Sequence, residues 1–196
     1  MLSGSPDHTR LDGSGAAQGA TQTSIVLQTR RCHAVSMELN PYANFLGQGD
    51  PLTILRGTAS KIVQLTSQAG EEQLERGPAP GKWSVREIVV HLADCELVFA
   101  FRLRQTLAED HPTIQPFDQD RWAARYASYD FAAALRLFEA MRGWNILLID
   151  GVGSAERQRP TSHPERGTMT FWTIVETMAG HDINHSRQIG RLLVRA

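Results

Sequence analysis

Cysteine is scarce in this chain: its 196 residues hold two, Cys32 and Cys95, in no C-x-x-C pair. That excludes a disulfide framework and suits a reducing compartment, so a cytoplasmic location is expected. Long hydrophobic runs are also missing. Ile88-Val89-Val90 and Ile146-Leu147-Leu148-Ile149 are short pieces of amphipathic segments, far from the roughly 18–20 apolar residues that span a bilayer, and no membrane partner is expected. No dense Lys/Arg run occurs, and 20 basic residues meet 21 acidic ones. A nucleic-acid groove needs a basic stripe to release counterions, so no nucleic-acid partner is expected either. Ser24 to Leu27 offers three consecutive apolar residues and no cleavage pattern, so no secretory signal is expected. Strand-like alternation of useful length is absent.

What is present suits a single domain: 41% apolar and 21% charged residues, in a chain long enough to bury a core. Residues 1–36 are rich in Gly, Ser, Thr and Gln without a hydrophobic period, and read as a flexible extension. Met37 directly precedes the patterned region, and translation is expected to begin there. The domain is assigned to residues 37–196. Asp50-Pro51 is a helix start, an N-cap with proline at the first helical position, and Leu52, Leu55, Ala59 and Ile62 share one face. Gly70 is the expected stop. Ser84 and Glu87 form a capping box with Trp83 and Ile88 at its staple positions. Nothing breaks that helix before Ala108, and its stripe runs Ile88, His91, Leu92, Cys95, Phe99 and Leu103. A connection from His111 to Tyr129, with a short helix near Trp122, leads to a third long helix from Asp130 to about Ile149. Phe131, Leu135, Phe138, Met141 and Leu148 are its inward candidates. Residues 154–169 read as a polar loop. The fourth helix begins near Thr170 on the stripe Ile174, Met178, His181, His185, Ile189 and Leu192. Four amphipathic helices without β signal predict an all-α four-helix bundle.

His181 and His185 occupy positions where a bundle helix presents leucine. Their i, i+4 spacing stacks both imidazoles on one side, within reach of one ion at about 2.0–2.1 Å. His91 holds an equivalent place on the second helix. Burying three imidazoles without partners costs a few kcal/mol, and a divalent metal supplies the compensation. Imidazoles suit zinc, nickel, iron and copper alike.

The segment Lys82-Trp83-Ser84 through Glu87, then His91-Leu92-Ala93-Asp94-Cys95-Glu96, resembles the W-S-x-x-E-x-x-x-H-L-x-D-x-E signature of the DinB/YfiT-like superfamily. His181-Asp182-Ile183-Asn184-His185 resembles that family's closing H-x-x-x-H. The likeness covers about residues 40–194. It implies a four-helix bundle, usually dimeric, with one divalent metal, zinc or nickel foremost, on His91, His181 and His185.

Cys95, one turn from His91, is either a small core thiol or a fourth ligand that closes the site. H-D-x-x-H is reminiscent of the metalloprotease H-E-x-x-H, but Asp182 has the shorter arm. Helical geometry points Asp182 and Asn184 away from the stripe, which leaves no evident general base. Asp94 and Glu87 flank His91 and could orient its ring, although capping explains Glu87 more simply. His163 and Arg166 are candidates to line an entrance, with solvated loop positions as their default. His8, His33 and His111 show no partner. Three histidines with an open fourth position are the arrangement of catalytic rather than structural zinc. Such a site serves hydrolysis, or it holds a low-molecular-weight thiol for S-transfer to an electrophile, the route the resemblance favours. A non-catalytic bundle tied together by its metal is the alternative.

Overall fold

The computed structural model describes residues 39–194. The expected extension, residues 1–36, and the start at Met37 lie outside them. In chain order the elements are α1 (Ala43–Leu46), α2 (Pro51–Thr66), α3 (Glu71–Glu75), α4 (Val85–Ala108), α5 (Gln119–Ala123), a 3-10 turn (Tyr126–Ser128), α6 (Phe131–Asp150), α7 (Ser154–Arg157), β1 (Pro160–His163), β2 (Gly167–Thr170) and α8 (Phe171–Val194).

Side-chain caps start the four long helices. Asp50 accepts from the Thr53 amide at 2.8 Å, and Asp130 from the Ala133 amide at 2.7 Å. At α4 the capping box is complete: Ser84 Oγ accepts from Glu87 N, and Glu87 Oε2 accepts from Ser84 N at 2.8 Å. Glu87 is thus a capping residue and not a partner of His91. Thr170 Oγ1 accepts from Thr173 N at 3.2 Å, so β2 runs into α8 without a loop. Each cap contributes about 1 kcal/mol. Helix α2 ends at Thr66 rather than Gly70, which precedes the short α3.

The long helices pack in the cyclic order α2, α8, α4, α6. Sequence neighbours α2 and α4 therefore face each other across a diagonal, as do α6 and α8. Two apolar clusters fill the bundle. One gathers Leu55, Phe99, Leu103, Ile149, Ile174 and Met178, the other Ile62, Ile88, Leu92, Phe138 and Ile189. Among these apolar residues α4, α6 and α8 carry a buried polar belt: His91 and Glu96, Arg142 and Asn145, His181, Asp182 and His185.

Arg142 on α6 ties the four helices together. Its Nη1 donates to Leu55 O of α2 at 3.0 Å and to Asp182 of α8 at 2.5 Å, and its Nη2 donates to Glu96 of α4 at 2.6 Å. Asn145 Nδ2 donates to the other Glu96 oxygen at 2.9 Å and receives Arg104 at its Oδ1. Burial works to lower the Arg142 pKa, but Asp182 and then Glu96 outweigh it and hold it raised. The inward face of α6 is consequently Ala134, Phe138, Arg142, Asn145 and Ile149. Of the expected inward residues only Phe138 is fully covered. Phe131, Leu135, Met141 and Leu148 are half-buried beside that face, because it carries two polar residues that a search for apolar spacing passes over.

Residues 154–169 differ most from expectation. They hold α7 and an antiparallel hairpin, with Pro160 paired to Thr170 and His163 to Gly167. Gly167 takes φ +91°, a left-handed backbone that suits glycine. The hairpin is anchored to the 109–118 connection: Ser162 N donates to Pro112 O at 2.8 Å, and Ile114 N to Ser162 O at 2.9 Å. His111, partnerless by sequence, meets Ser162 Oγ at 3.0 Å. The short helix near Trp122 is α5.

Candidate metal centre

The belt's histidines meet between α4 and α8. His91 Nε2 and His181 Nε2 are 3.0 Å apart, and Cys95 Sγ lies 3.5 Å from the first and 3.8 Å from the second. With bonds of about 2.0–2.1 Å to nitrogen and 2.3 Å to sulfur, the edges of a tetrahedral site come to about 3.3 Å for N···N and about 3.6 Å for N···S. The observed spacings fit that frame. Among the described residues, the donor atoms that close to within 4.8 Å of one another belong to His91, Cys95 and His181. His185 adjoins them, its ring centre 4.4 Å from that of His181 and 4.9 Å from that of His91.

Burial holds all three imidazoles neutral. It is the main cause that pushes His91 down to about 3, with His185 adding to it. His181 is lowered by burial first, then by His185, His91 and Arg142. His185 is lowered by burial against the opposing pull of Gln188 and Asp182. Neutral imidazoles are the ligand form. The Cys95 thiol is raised by burial and then by the neighbouring Glu96 and Asp94, so it stays protonated.

Outer groups orient the rings. His185 Nδ1 lies 3.0 Å from Gln188 Oε1. A carbonyl oxygen only accepts, so Nδ1 carries the proton and Nε2 keeps its lone pair. On the other side, His91 Nδ1 is 3.5 Å from the Tyr126 hydroxyl, which also hydrogen-bonds Asp94. Asp94 therefore reaches His91 through Tyr126 rather than directly. Trp83 lies over His91 at 4.7 Å and beside His185, and Tyr42 meets His181 edge-on at 5.1 Å. Gly180 makes room for that tyrosine, since a Cβ there would lie 2.5 Å from Tyr42 O.

A cavity of about 360 Å³ opens in front of His91, Cys95 and His181, while His185 stands behind them. Phe99 and Phe117 form part of its walls, and Arg102, His163, Glu165 and Arg166 line it as well. His163 is thus no solvated loop residue: it is 4% exposed and lowered by burial, then by Arg166 and Arg102. Asp182, as helical geometry requires, faces away and is taken up by Arg142. Sequence reasoning missed Gln188, which stands in plain view three residues after His185, and Tyr126, which no local spacing connects to His91.

A family model described as the DinB superfamily matches residues 54–189. The chain belongs to the DinB superfamily. The matched span holds His91, His181 and His185 together with Glu96, Arg142 and Asp182. Among its DinB superfamily relatives, a protein of Oceanobacillus iheyensis is 32% identical over 126 residues, 63% of this chain and 73% of its own length. One from Geobacillus kaustophilus is 28% identical over 148 residues, 74% of this chain and 83% of its own. Both bear the name "Putative metal-dependent hydrolase". The structure of YfiT from Bacillus subtilis, described as "a probable metal-dependent hydrolase with an unusual four-helix bundle topology", superposes with a TM-score of 0.69 at 24% identity. It covers 74% of this chain and 85% of that one, and the shared feature is the bundle fold.

Proposed function

We propose that this DinB superfamily protein is a metal-dependent hydrolase of small molecules. In this reading His91, His181 and His185 hold one divalent ion, zinc or nickel foremost, and the position facing the cavity stays open. The observation that carries it is the meeting of the neutral His91 and His181 imidazoles, Nε2 to Nε2, at the wall of a 360 Å³ cavity, with His185 beside them. Such an ion supplies Lewis acidity, which acidifies a coordinated water or thiol and polarises an electrophile. The remaining work falls to the chain. Gln188 holds the His185 ring through Nδ1, Trp83 shields the histidines from behind, and Tyr42 and Phe99 keep bulk water from His181. In this reading Cys95 is a thiol beside the ion, which burial keeps protonated in the metal-free protein. The names of the relatives favour hydrolysis.

One observation favours S-transfer as a second reading. Among the described residues the carboxylate lining the cavity is Glu165, exposed at its rim, and the buried wall offers no carboxylate base, its proton acceptor apart from the belt histidines being the His163 imidazole on the hairpin. A thiol that loses its proton on coordination needs none. The test is turnover by metal-loaded protein on a panel of esters, amides and phosphoesters, and on low-molecular-weight thiols paired with electrophiles. Hydrolysis that disappears with His181→Ala supports the first reading, and conversion only in the presence of thiol supports the second. Inactivity on both panels, with Cys95 bound as a thiolate, favours the non-catalytic, metal-tied bundle. We place the protein in the cytoplasm, on its sparse cysteines, and read it as a homodimer. The exposed stripe of Leu97, Phe101, Trp144 and Leu147 on α4 and α6 supports the latter.

A further inference from the structure

The cavity carries positive charge away from its histidine wall. Arg102 is 9% exposed. Its Nη2 donates to Gln115 O at 2.7 Å, but its Nε is buried without a hydrogen-bond partner. Arg166, delivered by the hairpin turn, lines the same cavity. The ion pairs found among the described residues engage other arginines. Burial and then the charge of Arg166 both act against the Arg102 cation. The same bundle shows how it neutralises a buried arginine when no ligand is involved, since Arg142 receives two carboxylates. Arg102 receives none, and removing a charge from water without a partner is costly. Geometry fixes the separation: Arg102 follows Cys95 by seven residues, two turns along one face of α4, or about 10 Å. A cavity of about 360 Å³ lies at the small end of the range for ligand pockets, roughly 300–1,000 Å³.

We propose that the cavity binds a small anion, a carboxylate- or phosphate-bearing molecule, whose anionic group is received by Arg102 and Arg166. The placement of its other end at the histidines rests on the function proposed above; the anion site does not. Guanidinium forks match both oxyanions, and the apolar middle of the molecule lies against Phe99 and Phe117.

The probes are 4-phenylbutyrate, its neutral amide and phenethyl phosphate, titrated by calorimetry into metal-loaded protein and into protein stripped by chelator and dialysed. Both anions are expected to bind at least tenfold more tightly than the amide in either form, with the stronger of the two identifying the oxyanion preferred. Arg102→Met should abolish the preference and Arg102→Lys should retain part of it. Should Arg102→Met fail to fold, as judged by circular dichroism, Arg166→Met at the hairpin turn carries the test through a reduced preference. Equal affinity for anion and amide in the wild type overturns the proposal, as does a preference that survives both methionine variants. A preference seen only in metal-loaded protein also overturns it and leaves the metal reading standing. A preference that persists in protein unable to bind metal retains the anion site and removes the metal centre.

Discussion

His91, His181 and His185 share a burial that strips them of charge, and Gln188 fixes which nitrogen of His185 stays free. Purified protein is therefore expected to carry near-stoichiometric metal by elemental mass spectrometry, and His185→Ala to lose most of it, while Cys95→Ser keeps it. Equal metal in wild type and His185→Ala would refute the three-histidine site. Gln188→Ala, which frees the His185 ring, should weaken metal binding about 10- to 100-fold in chelator competition. The same residues set the acid response of the stripped protein. Their folded pKa values lie below the unfolded value of about 6.5, so stability is level above that pH. Below it the unfolded chain takes up protons that the folded state refuses. Stability then falls by about 1.4 kcal/mol per histidine per pH unit, for His91 down to about pH 3. Urea midpoints at pH 7.5 and 5.5 should differ accordingly, and a flat profile would contradict the buried neutral state.

The helices are joined through one guanidinium as well as through apolar packing. Arg142→Met should destabilise the fold by about 3–5 kcal/mol in urea titrations, because Glu96 and Asp182 are left as unpaired buried charges. Adding Glu96→Leu and Asp182→Leu should restore much of that loss, and no recovery would mean that packing rather than charge governs the belt. The stripes of α2, α4 and α8 were legible because a 3.6-residue period of apolar side chains, or of histidines standing in for them, marks the buried face. Helix α6 was legible as a helix but not as to its face, since Arg142 and Asn145 look outward-facing to any hydrophobicity count. The hairpin was hidden for a different reason: each strand has four residues, and its pairing to Pro112 and Ile114 is a tertiary event. In the candidate site the i, i+4 pair and His91 were in view, as was the capping role of Glu87. Tyr126 was not, because only the fold carries it 35 positions back along the chain to His91. Arg102 became a cavity residue for the same reason, whereas His163 and Arg166 were in view as candidates to line an entrance.

At the scale of the molecule, the exposed stripe on α4 and α6 is expected to be covered by a second copy. Phe101 is 61% exposed and Leu147 68%, more apolar surface than a solitary bundle needs to show. Analytical ultracentrifugation should give a dimer that Phe101→Glu converts to monomer, and a monomeric wild type would remove the dimer from the functional reading. Within one protomer, labour is divided between parts of different origin. The reactive groups stand on long helices locked by the belt, whereas Arg166 and His163 arrive on a hairpin fastened to the neighbouring connection by a few backbone bonds. Rewriting the Pro164–Arg166 tip leaves the bundle's interior untouched. The framework can thus keep its chemistry constant while the tip is exchanged, which gives laboratory or natural selection a short, separable cassette for redirecting the protein to new compounds.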